Sequence, residues 1–387
     1  MPATSQLDTV LNPVETARGL PNAHYISDET FAHERDAVLF ANWAGIGFAK
    51  DIAPGEAMPI DFVGMPLIAV RSREGDLRVF QNTCRHRGMI LVDEKKQVGG
   101  VIRCPYHSWC YALSGELVAT PHVGGPGHNT HADIKREELG LNEIRSHVWR
   151  DVIFVNVDGQ GADFADYAAD AMARWKEFEG QEIFAGGAEN AFQFDVNCNW
   201  KLAVENYSES YHLPWIHPGL NSYSRLEDHY NIEEPGAFSG QGTLVYRPMI
   251  NADGRRFPDF KDLSDKWDAG AEYLSFFPNV LLGVHRDHAF AIILEPIAKD
   301  RTIEHVALYY ASAEAAESAD WADMRAKNAE MWHEVFAEDL FVVEGMQKGR
   351  NAVHFDGGKF SPAMDGPTHL FHQWVATQLQ PKAVAAE

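Results

Sequence analysis

Short apolar segments separated by turn residues characterise the chain from about residue 43 to residue 157. Short runs that are rich in β-branched and aromatic side chains and bounded by Gly, Pro or Asp are typical of β-strands. Five such strands are predicted, at 58–62, 66–70, 77–80, 100–103 and 152–157. This part of the chain is therefore predicted to form a small all-β domain.

The pattern changes from about residue 164 onward, where helical and strand-like segments are mixed. Apolar runs at 289–296 and 303–311 suit buried strands, whereas 321–349 has the helical period and ends at Gly349. The fold class predicted for the whole chain is accordingly α+β, with the all-β domain preceding a larger mixed domain.

Two pairs of metal-binding residues lie within the predicted β domain: Cys84 with His86, and Cys104 with His107. A Rieske [2Fe-2S] centre uses this set, because two Cys hold one iron and two His hold the other. A structural zinc site also takes two Cys and two His, but the first pair here has one intervening residue and mixes Cys with His. The spacing therefore favours an electron-transferring iron–sulfur cluster over zinc.

Cysteine usage indicates the compartment of the protein, and the net charge disfavours some classes of partner. The other two cysteines, Cys110 and Cys198, leave no plausible disulfide framework, which favours a reducing cytosol. With 33 basic and 56 acidic residues the net charge is −23, so nucleic acid and anionic membrane surfaces are disfavoured as partners. No signal peptide and no membrane span is apparent, and we expect a soluble, cytoplasmic protein.

A second group of candidate metal ligands lies at 199–218. On a continuous helix, Glu205, Glu209 and His212 would share one face. Pro214 would then disturb the helix and allow His217 to turn back toward His212, so that one metal ion could bind both imidazoles.

Two histidines need a carboxylate to form the facial triad of non-haem Fe(II) oxygenases. Asp339 lies in the long predicted helix with apolar residues three and four positions away, where a lone carboxylate is costly without a partner such as a metal. Glu338, which faces another acid, is the weaker candidate. We predict a mononuclear iron site of His212, His217 and Asp339; the alternatives are hydrogen-bonded core histidines and an Asp–Arg pair.

In their order and spacing these motifs, with Asn199-Trp200-Lys201 ahead of the two His, resemble the catalytic α subunits of Rieske non-haem iron oxygenases. The resemblance covers essentially residues 25–380. It implies an α+β protein in which a Rieske domain precedes a helix-grip catalytic domain, an antiparallel sheet with helices. We place the N-terminal helical segment, packed on the catalytic domain, the Rieske domain and the catalytic domain at 1–42, 43–158 and 159–387.

The resemblance also implies cofactors and partners. They are a [2Fe-2S] cluster, mononuclear Fe(II), and NAD(P)H used through a separate flavin and iron–sulfur reductase, since no dinucleotide fingerprint stands out in this chain. Three subunits form a ring in this family, so a homotrimer is expected. Glu209 occupies the position of an acid that bridges to a cluster His of the neighbouring subunit, and Asn206 and Tyr207 beside it are further candidate catalytic residues.

Many ring-hydroxylating members have Asp at that position, so Glu209 resembles the branch acting on quaternary ammonium compounds such as betaines, carnitine and choline. The expected activity is monooxygenation with N-demethylation or C–N cleavage. The alternatives are hydroxylation or dihydroxylation of an aromatic ring or acid, and a Rieske electron-transfer protein without oxygenase activity. Candidate substrate-pocket residues are Tyr207, Trp215, Phe276 and His285.

Overall fold

The computed structural model describes residues 7–251 and 253–380, so residues 1–6 of the predicted N-terminal segment and 381–387 of the predicted catalytic domain lie outside it. Contacts divide the chain into two units. One contains residues 45–160, and in the other the residues up to 44 join the stretch from 161 onward. The α+β class is confirmed, with an all-β first unit and mixed helices and strands in the second.

The 45–160 unit is built from antiparallel strands. A seven-stranded sheet has the order β1-β10-β9-β4-β3-β2-β5, and β6, β7 and β8 form a three-stranded sheet. All five predicted strands are confirmed to within two residues. The strands are β1 Ala44–Phe48, β2 Glu56–Phe62, β3 Met65–Arg71, β4 Leu77–Gln81, β5 Lys96–Gln97, β6 Val101–Arg103, β7 Cys110–Ala112, β8 Leu117–Ala119, β9 Glu143–Trp149 and β10 Val152–Asn156.

The core of this unit holds the loops that carry the Cys and His pairs. Cys84 and Cys104 are buried in one apolar cluster with Phe80, Trp109 and Tyr111. Apolar burial of this kind supplies most of the driving force for folding, so the two loops are held by the same contacts that stabilise the domain.

The second unit contains a large antiparallel sheet. Its order is β11-β18-β17-β16-β15-β14-β13, with β12 also paired to β18. The two strands predicted from apolar runs, 289–296 and 303–311, are confirmed as β17 and β18. The strands are β11 Phe184–Ala185, β12 Ala191–Val196, β13 His229–Ile232, β14 Phe238–Thr243, β15 Ala271–Phe276, β16 Val280–Val284, β17 His288–Ala298 and β18 Arg301–Tyr310.

Helices of the second unit pack on this sheet, and the predicted long helix is confirmed as α9, which runs to Gly349. A π-helix spans Arg35–Phe40. In the described part of the chain no helix is long and apolar enough to cross a lipid bilayer. The α-helices are α1 Ala23–Ile26, α2 Asp28–Glu34, α3 Phe164–Tyr167, α4 Ala169–Arg174, α5 Trp200–Ser208, α6 Leu213–Ile216, α7 Pro218–Asn221, α8 Ala313–Glu317, α9 Ala322–Gly349 and α10 Gly366–Gln378.

The predicted continuous helix through Glu205, Glu209 and His212 is wrong. Helix α5 ends at Ser208, and Glu209 has extended backbone angles (φ −125°, ψ 161°). Pro214 does not break a helix but lies in the first turn of α6, where its missing N–H costs nothing. The chain therefore turns before His212, which sequence periodicity did not show.

Buried charges join α2 to α5. Lys201 and Glu34 have no exposed side-chain surface, and Nζ of Lys201 lies 2.5 Å from Oε2 of Glu34. His24 Nδ1 contacts the other oxygen of Glu34 at 2.7 Å. Burial alone would raise the pKa of Glu34, but the Lys201 ammonium and His24 outweigh it and hold the pKa below its usual range. The pair therefore ties the N-terminal residues to the helix that leads into the candidate metal site.

Replacement of Glu34 by Gln should lower the free energy of unfolding by roughly 3–5 kcal/mol, because it leaves the Lys201 ammonium buried without a counter-charge. Glu34→Gln and Glu29→Gln, a change at an exposed acid of the same helix, are compared by chemical denaturation. Since the folded pKa of Glu34 is depressed, its contribution is present above the ordinary pKa of 4.5 and lost as pH falls. The difference in the free energy of unfolding between wild type and Glu34→Gln should accordingly shrink below pH 4.5. A difference that is constant with pH would show that Glu34 and Lys201 do not form an ionised pair.

Candidate active site

The two Cys–His loops have the same construction. Cys84 and His86 follow β4, and Cys104 and His107 lie between β6 and β7. In each loop the N–H of the Cys donates to a carbonyl five residues later, Cys84 to Met89 and Cys104 to Trp109, both at 2.8 Å. The matched turns therefore present one thiol and one imidazole each.

The ligand atoms are arranged in two layers. Both Cys side chains are buried, whereas His86 is exposed and His107 half-buried, with their ring centroids 4.6 Å apart. Burial, helped by the adjacent Cys84, raises the pKa of the Cys104 thiol, so a bound metal is needed to hold it as a thiolate. Burial and His107 lower the pKa of His86, which keeps this imidazole in its neutral, metal-binding form. An inner Cys pair and an outer His pair fit a [2Fe-2S] cluster of the Rieske type.

Neighbouring side chains hold these loops in place. The indole of Trp109 stacks on the His86 ring with centroids 4.8 Å apart. The Tyr111 hydroxyl lies 3.3 Å from Cys84 Sγ and accepts a hydrogen bond from the Arg85 N–H at 3.0 Å. Such outer contacts orient metal ligands and tune the potential of the cluster.

The second candidate site brings together the three residues proposed as ligands of mononuclear iron. Nε2 of His217 lies 3.2 Å from Nε2 of His212 and 3.2 Å from Oδ1 of Asp339, and His212 Nε2 lies 3.7 Å from the same oxygen. Two ligand atoms at right angles around one metal, each about 2.1 Å from it, are about 3 Å apart. This set is the one group of three or more His, Cys, Asp or Glu side chains of metal-binding geometry among residues 7–251 and 253–380.

Carboxylates orient both histidines. His212 Nδ1 lies 2.7 Å from Oε1 of Glu209, and His217 Nδ1 lies 2.7 Å from Oε2 of Glu338. Each ring therefore donates its Nδ1–H to a carboxylate and turns a free Nε2 toward the site, as in carboxylate–histidine–metal arrangements. Burial alone would lower the pKa of His217, but Asp339 and Glu338 raise it.

The local chain path explains these positions. The Glu209 carboxylate accepts hydrogen bonds from the backbone N–H groups of Tyr211 and His212, which closes the turn after α5. His212 and His217 then flank the single turn of α6 at its two ends. From the end of α5, Asn206 Nδ2 donates to Asp339 Oδ1 at 3.1 Å. Sequence reasoning placed Glu338 as a weaker ligand candidate, whereas the structure places it behind His217.

One cavity borders the three candidate iron ligands, and a second cavity adjoins it. The first, of about 50 Å³, is bordered by them and by Tyr207, whose hydroxyl donates to the Leu282 carbonyl at 2.9 Å. The second is about 200 Å³. The walls that the two cavities share are formed by Leu220, His229, Tyr273, Trp332 and Val335.

The structure brings only part of the predicted substrate pocket to these cavities. Tyr207 borders the first and His285 the second. Trp215 borders neither: it is 68% exposed and contacts Tyr211 edge-to-face. Phe276 is buried and packs on Tyr167, also away from both cavities.

Sequence reasoning missed most of the aromatic wall. Tyr273, Phe290 and Trp332 come from β15, β17 and α9, which are separate in the chain. Each of them has the ordinary pattern of a core residue, and no local motif distinguishes it.

A Rieske-type loop pair and a site of two histidines and one carboxylate on the same chain define a Rieske non-haem iron oxygenase. Comparison with protein families agrees: residues 172–381 match the family described as ring hydroxylating alpha subunit (catalytic domain), and residues 42–133 match the Rieske [2Fe-2S] domain. Because the first match spans more than half of the chain, the protein belongs to the ring-hydroxylating alpha-subunit family. It is an oxidoreductase whose cofactors are a Rieske cluster and mononuclear iron, so the alternatives of a zinc site and of a cluster protein without oxygenase activity are excluded.

Individual relatives are distant. Chloroplastic choline monooxygenase of Arabidopsis thaliana is 24% identical over 375 residues, covering 93% of this chain and 82% of that protein. The quaternary ammonium Rieske monooxygenase CntA in complex with substrate L-carnitine has a TM-score of 0.75 and 22% identity, covering 97% and 99% of the two chains. Naphthalene 1,2-dioxygenase from Rhodococcus sp. has a TM-score of 0.78 and 15% identity, covering 98% and 99%. Both structural likenesses show the fold alone.

Proposed function

We propose that this oxygenase acts on a small quaternary ammonium compound and monooxygenates one of its N-linked carbons. The main support is the aromatic wall of the first cavity, where four aromatic side chains lie beside the three proposed iron ligands: Tyr207, Tyr273, Phe290 and Trp332. Aromatic faces attract methylammonium cations electrostatically, and such a group has no hydrogen-bond donor to leave unsatisfied. The choline monooxygenase and carnitine monooxygenase oxygenase subunits among the sequence relatives support this substrate class.

Residues of the chain would position the reaction. His212, His217 and Asp339 would hold the mononuclear iron on one side, and bound iron would supply oxygen activation at its open positions. The aromatic side chains would exclude water and present an N-methyl group. Substrate, O2, two electrons and two protons would give a hydroxymethylammonium product and water. Loss of formaldehyde and a proton would complete the demethylation.

Glu209 is proposed as the electron-transfer link. Its carboxylate contacts Nδ1 of His212, and a carboxylate between two imidazoles orients both. In a homotrimer, which we propose as the assembly, the second imidazole would belong to a cluster ligand of the neighbouring subunit. Electrons would come from NAD(P)H through a separate reductase, with the cytoplasm as the proposed compartment.

The substrate class is tested by single turnover, which needs no reductase. Holoenzyme reduced with dithionite is exposed to O2 with a trimethylammonium compound or with its neutral isostere, in which carbon replaces nitrogen. We expect formaldehyde in proportion to active sites with the cation. With the isostere, whose hydroxylation would give a stable primary alcohol, we expect no alcohol product, because the aromatic wall favours the charge. Absence of both formaldehyde and a trialkylamine released by C–N cleavage, across a full panel of cations, would refute the proposal.

The alternative, hydroxylation of an aromatic ring or aromatic acid, is supported by the predominantly apolar wall of the first cavity. It predicts hydroxylated aromatic product and oxygen uptake in the same assay without formaldehyde.

A further inference from the structure

We propose that Arg247 binds a carboxylate group of the substrate, so that the preferred compound is a zwitterion with its cationic end toward the iron site. This inference rests on the proposed function and adds a requirement for a negative group. The proposed carboxylate site is in the second cavity, which shares part of its wall with the first and is bordered by none of the three proposed iron ligands.

Arg247 is available for a ligand. Its side chain is exposed at the cavity, with the guanidinium carbon 5.3 Å from the centroid of the Tyr223 ring. It has no ion-pair or hydrogen-bond partner within 7–251 and 253–380. The contact with the tyrosine ring leaves the N–H donors of the guanidinium free, which suits bidentate binding of a carboxylate.

Arg247 is the only formally charged side chain among the described residues that border the second cavity. No Asp or Glu borders it among the described residues. Burial lowers the pKa of both His229 and His285, so these two rings are neutral. Asp287 lies behind the wall, where its Oδ1 accepts from the Tyr246 hydroxyl and contacts His288 Nδ1, each at 2.8 Å. An anion is therefore favoured at this end and a cation is repelled.

The two adjoining cavities favour different groups of a substrate. Tyr273 and Trp332 border both of them, so the two cavities adjoin, and the proposed substrate would reach past these side chains into both. The aromatic faces, which favour a methylammonium group, lie at one end, and the guanidinium lies at the other. A substrate with trimethylammonium and carboxylate groups would align in only one direction, and its methyl groups would face the iron ligands.

The test compares wild type with Arg247→Met and Arg247→Lys on matched substrates. Each trimethylammonium carboxylate is paired with the alcohol that has the same carbon chain. A charge-assisted hydrogen-bonded pair corresponds to a change of roughly 10–100-fold, so KM for the carboxylates should rise by this factor in Arg247→Met with kcat little changed. KM for the alcohols should stay constant or fall, and Arg247→Lys should recover part of the loss.

Binding measurements separate this proposal from the proposed function. Isothermal titration calorimetry of holoenzyme gives the dissociation constant of each carboxylate, each alcohol and each methyl ester, including aromatic acids and their esters. The control variant is Arg225→Met, at an exposed arginine paired with Glu227, and it should bind all of them as wild type does. If no cation is turned over but Arg247→Met selectively weakens carboxylates, the proposed function fails and the anchor stands. Equal effects on carboxylates and their uncharged partners, or no effect, would overturn the role of Arg247.

Discussion

Replacement of Asp339 by Ala should remove the mononuclear iron and abolish turnover, while the visible spectrum of the iron–sulfur cluster is unchanged. Asp339 supplies the single carboxylate oxygen that lies within 3.7 Å of both histidine Nε2 atoms. Two imidazoles alone leave a non-haem iron site without its anionic ligand, so we expect the iron to dissociate. Metal and sulfide analysis should change from about three irons per two sulfides to about two.

Two acids on the same helix serve as matched controls. Glu334→Ala, at an exposed position one turn earlier, should retain iron and activity. Glu338→Ala should retain the ligands but weaken iron binding by roughly 10–100-fold, because it removes the acceptor at His217 Nδ1. If Glu338→Ala loses iron completely while Asp339→Ala keeps it, Glu338 is the iron ligand and Asp339 is not.

Replacement of Glu209 by Ala should lower turnover by about 100-fold even in samples in which both metal centres are fully loaded with added iron. The carboxylate contacts Nδ1 of His212 and not the atom that faces the iron site, so its loss removes orientation and the proposed electron path rather than a ligand. The measurement is the rate at which the reduced cluster is reoxidised by O2 in the presence of substrate, with iron content determined on the same sample.

Two further variants separate the link from the local turn. Glu209 also closes the backbone turn at Tyr211 and His212, so Glu209→Gln, which keeps an acceptor for these N–H groups, is compared with Glu209→Ala. An electron-transfer role predicts slow reoxidation in both variants with normal thermal stability in Glu209→Gln. Wild-type reoxidation in either variant would refute the link, and loss of iron in both would show that Glu209 is needed to hold His212.

The strongest predictions from sequence concern local spacing. The two residues of each pair, Cys84 with His86 and Cys104 with His107, are close along the chain. Two short loops therefore contain all four predicted cluster ligands. In the strands around them, apolar residues alternate with polar ones or form short continuous runs. Both patterns can be recognised within a few residues of sequence. For the same reason α9 and the strands at 289–296 and 303–311 are found at their predicted places.

Other features depend on atoms that are distant in sequence. The turn at Glu209 is stabilised by the Glu209 carboxylate, which accepts hydrogen bonds from backbone N–H groups. Helical periodicity in the sequence does not predict such a contact. Trp215 and Phe276 have aromatic side chains near the motif in sequence, but one is at the surface and the other is in the core. Aromatic identity alone does not say which face of an element a side chain occupies.

The amino-acid order therefore specifies which ligand types this chain carries, in which order, and on which kinds of element, because these depend on contacts between near neighbours. Folding decides which carboxylate faces which imidazole and how α5, α6 and α9 meet. It also places Arg247, which has no acidic partner among residues 7–251 and 253–380, at the second cavity. These features arise where strands and helices separated by many residues pack together. Their geometry depends on long-range contacts that no single segment encodes.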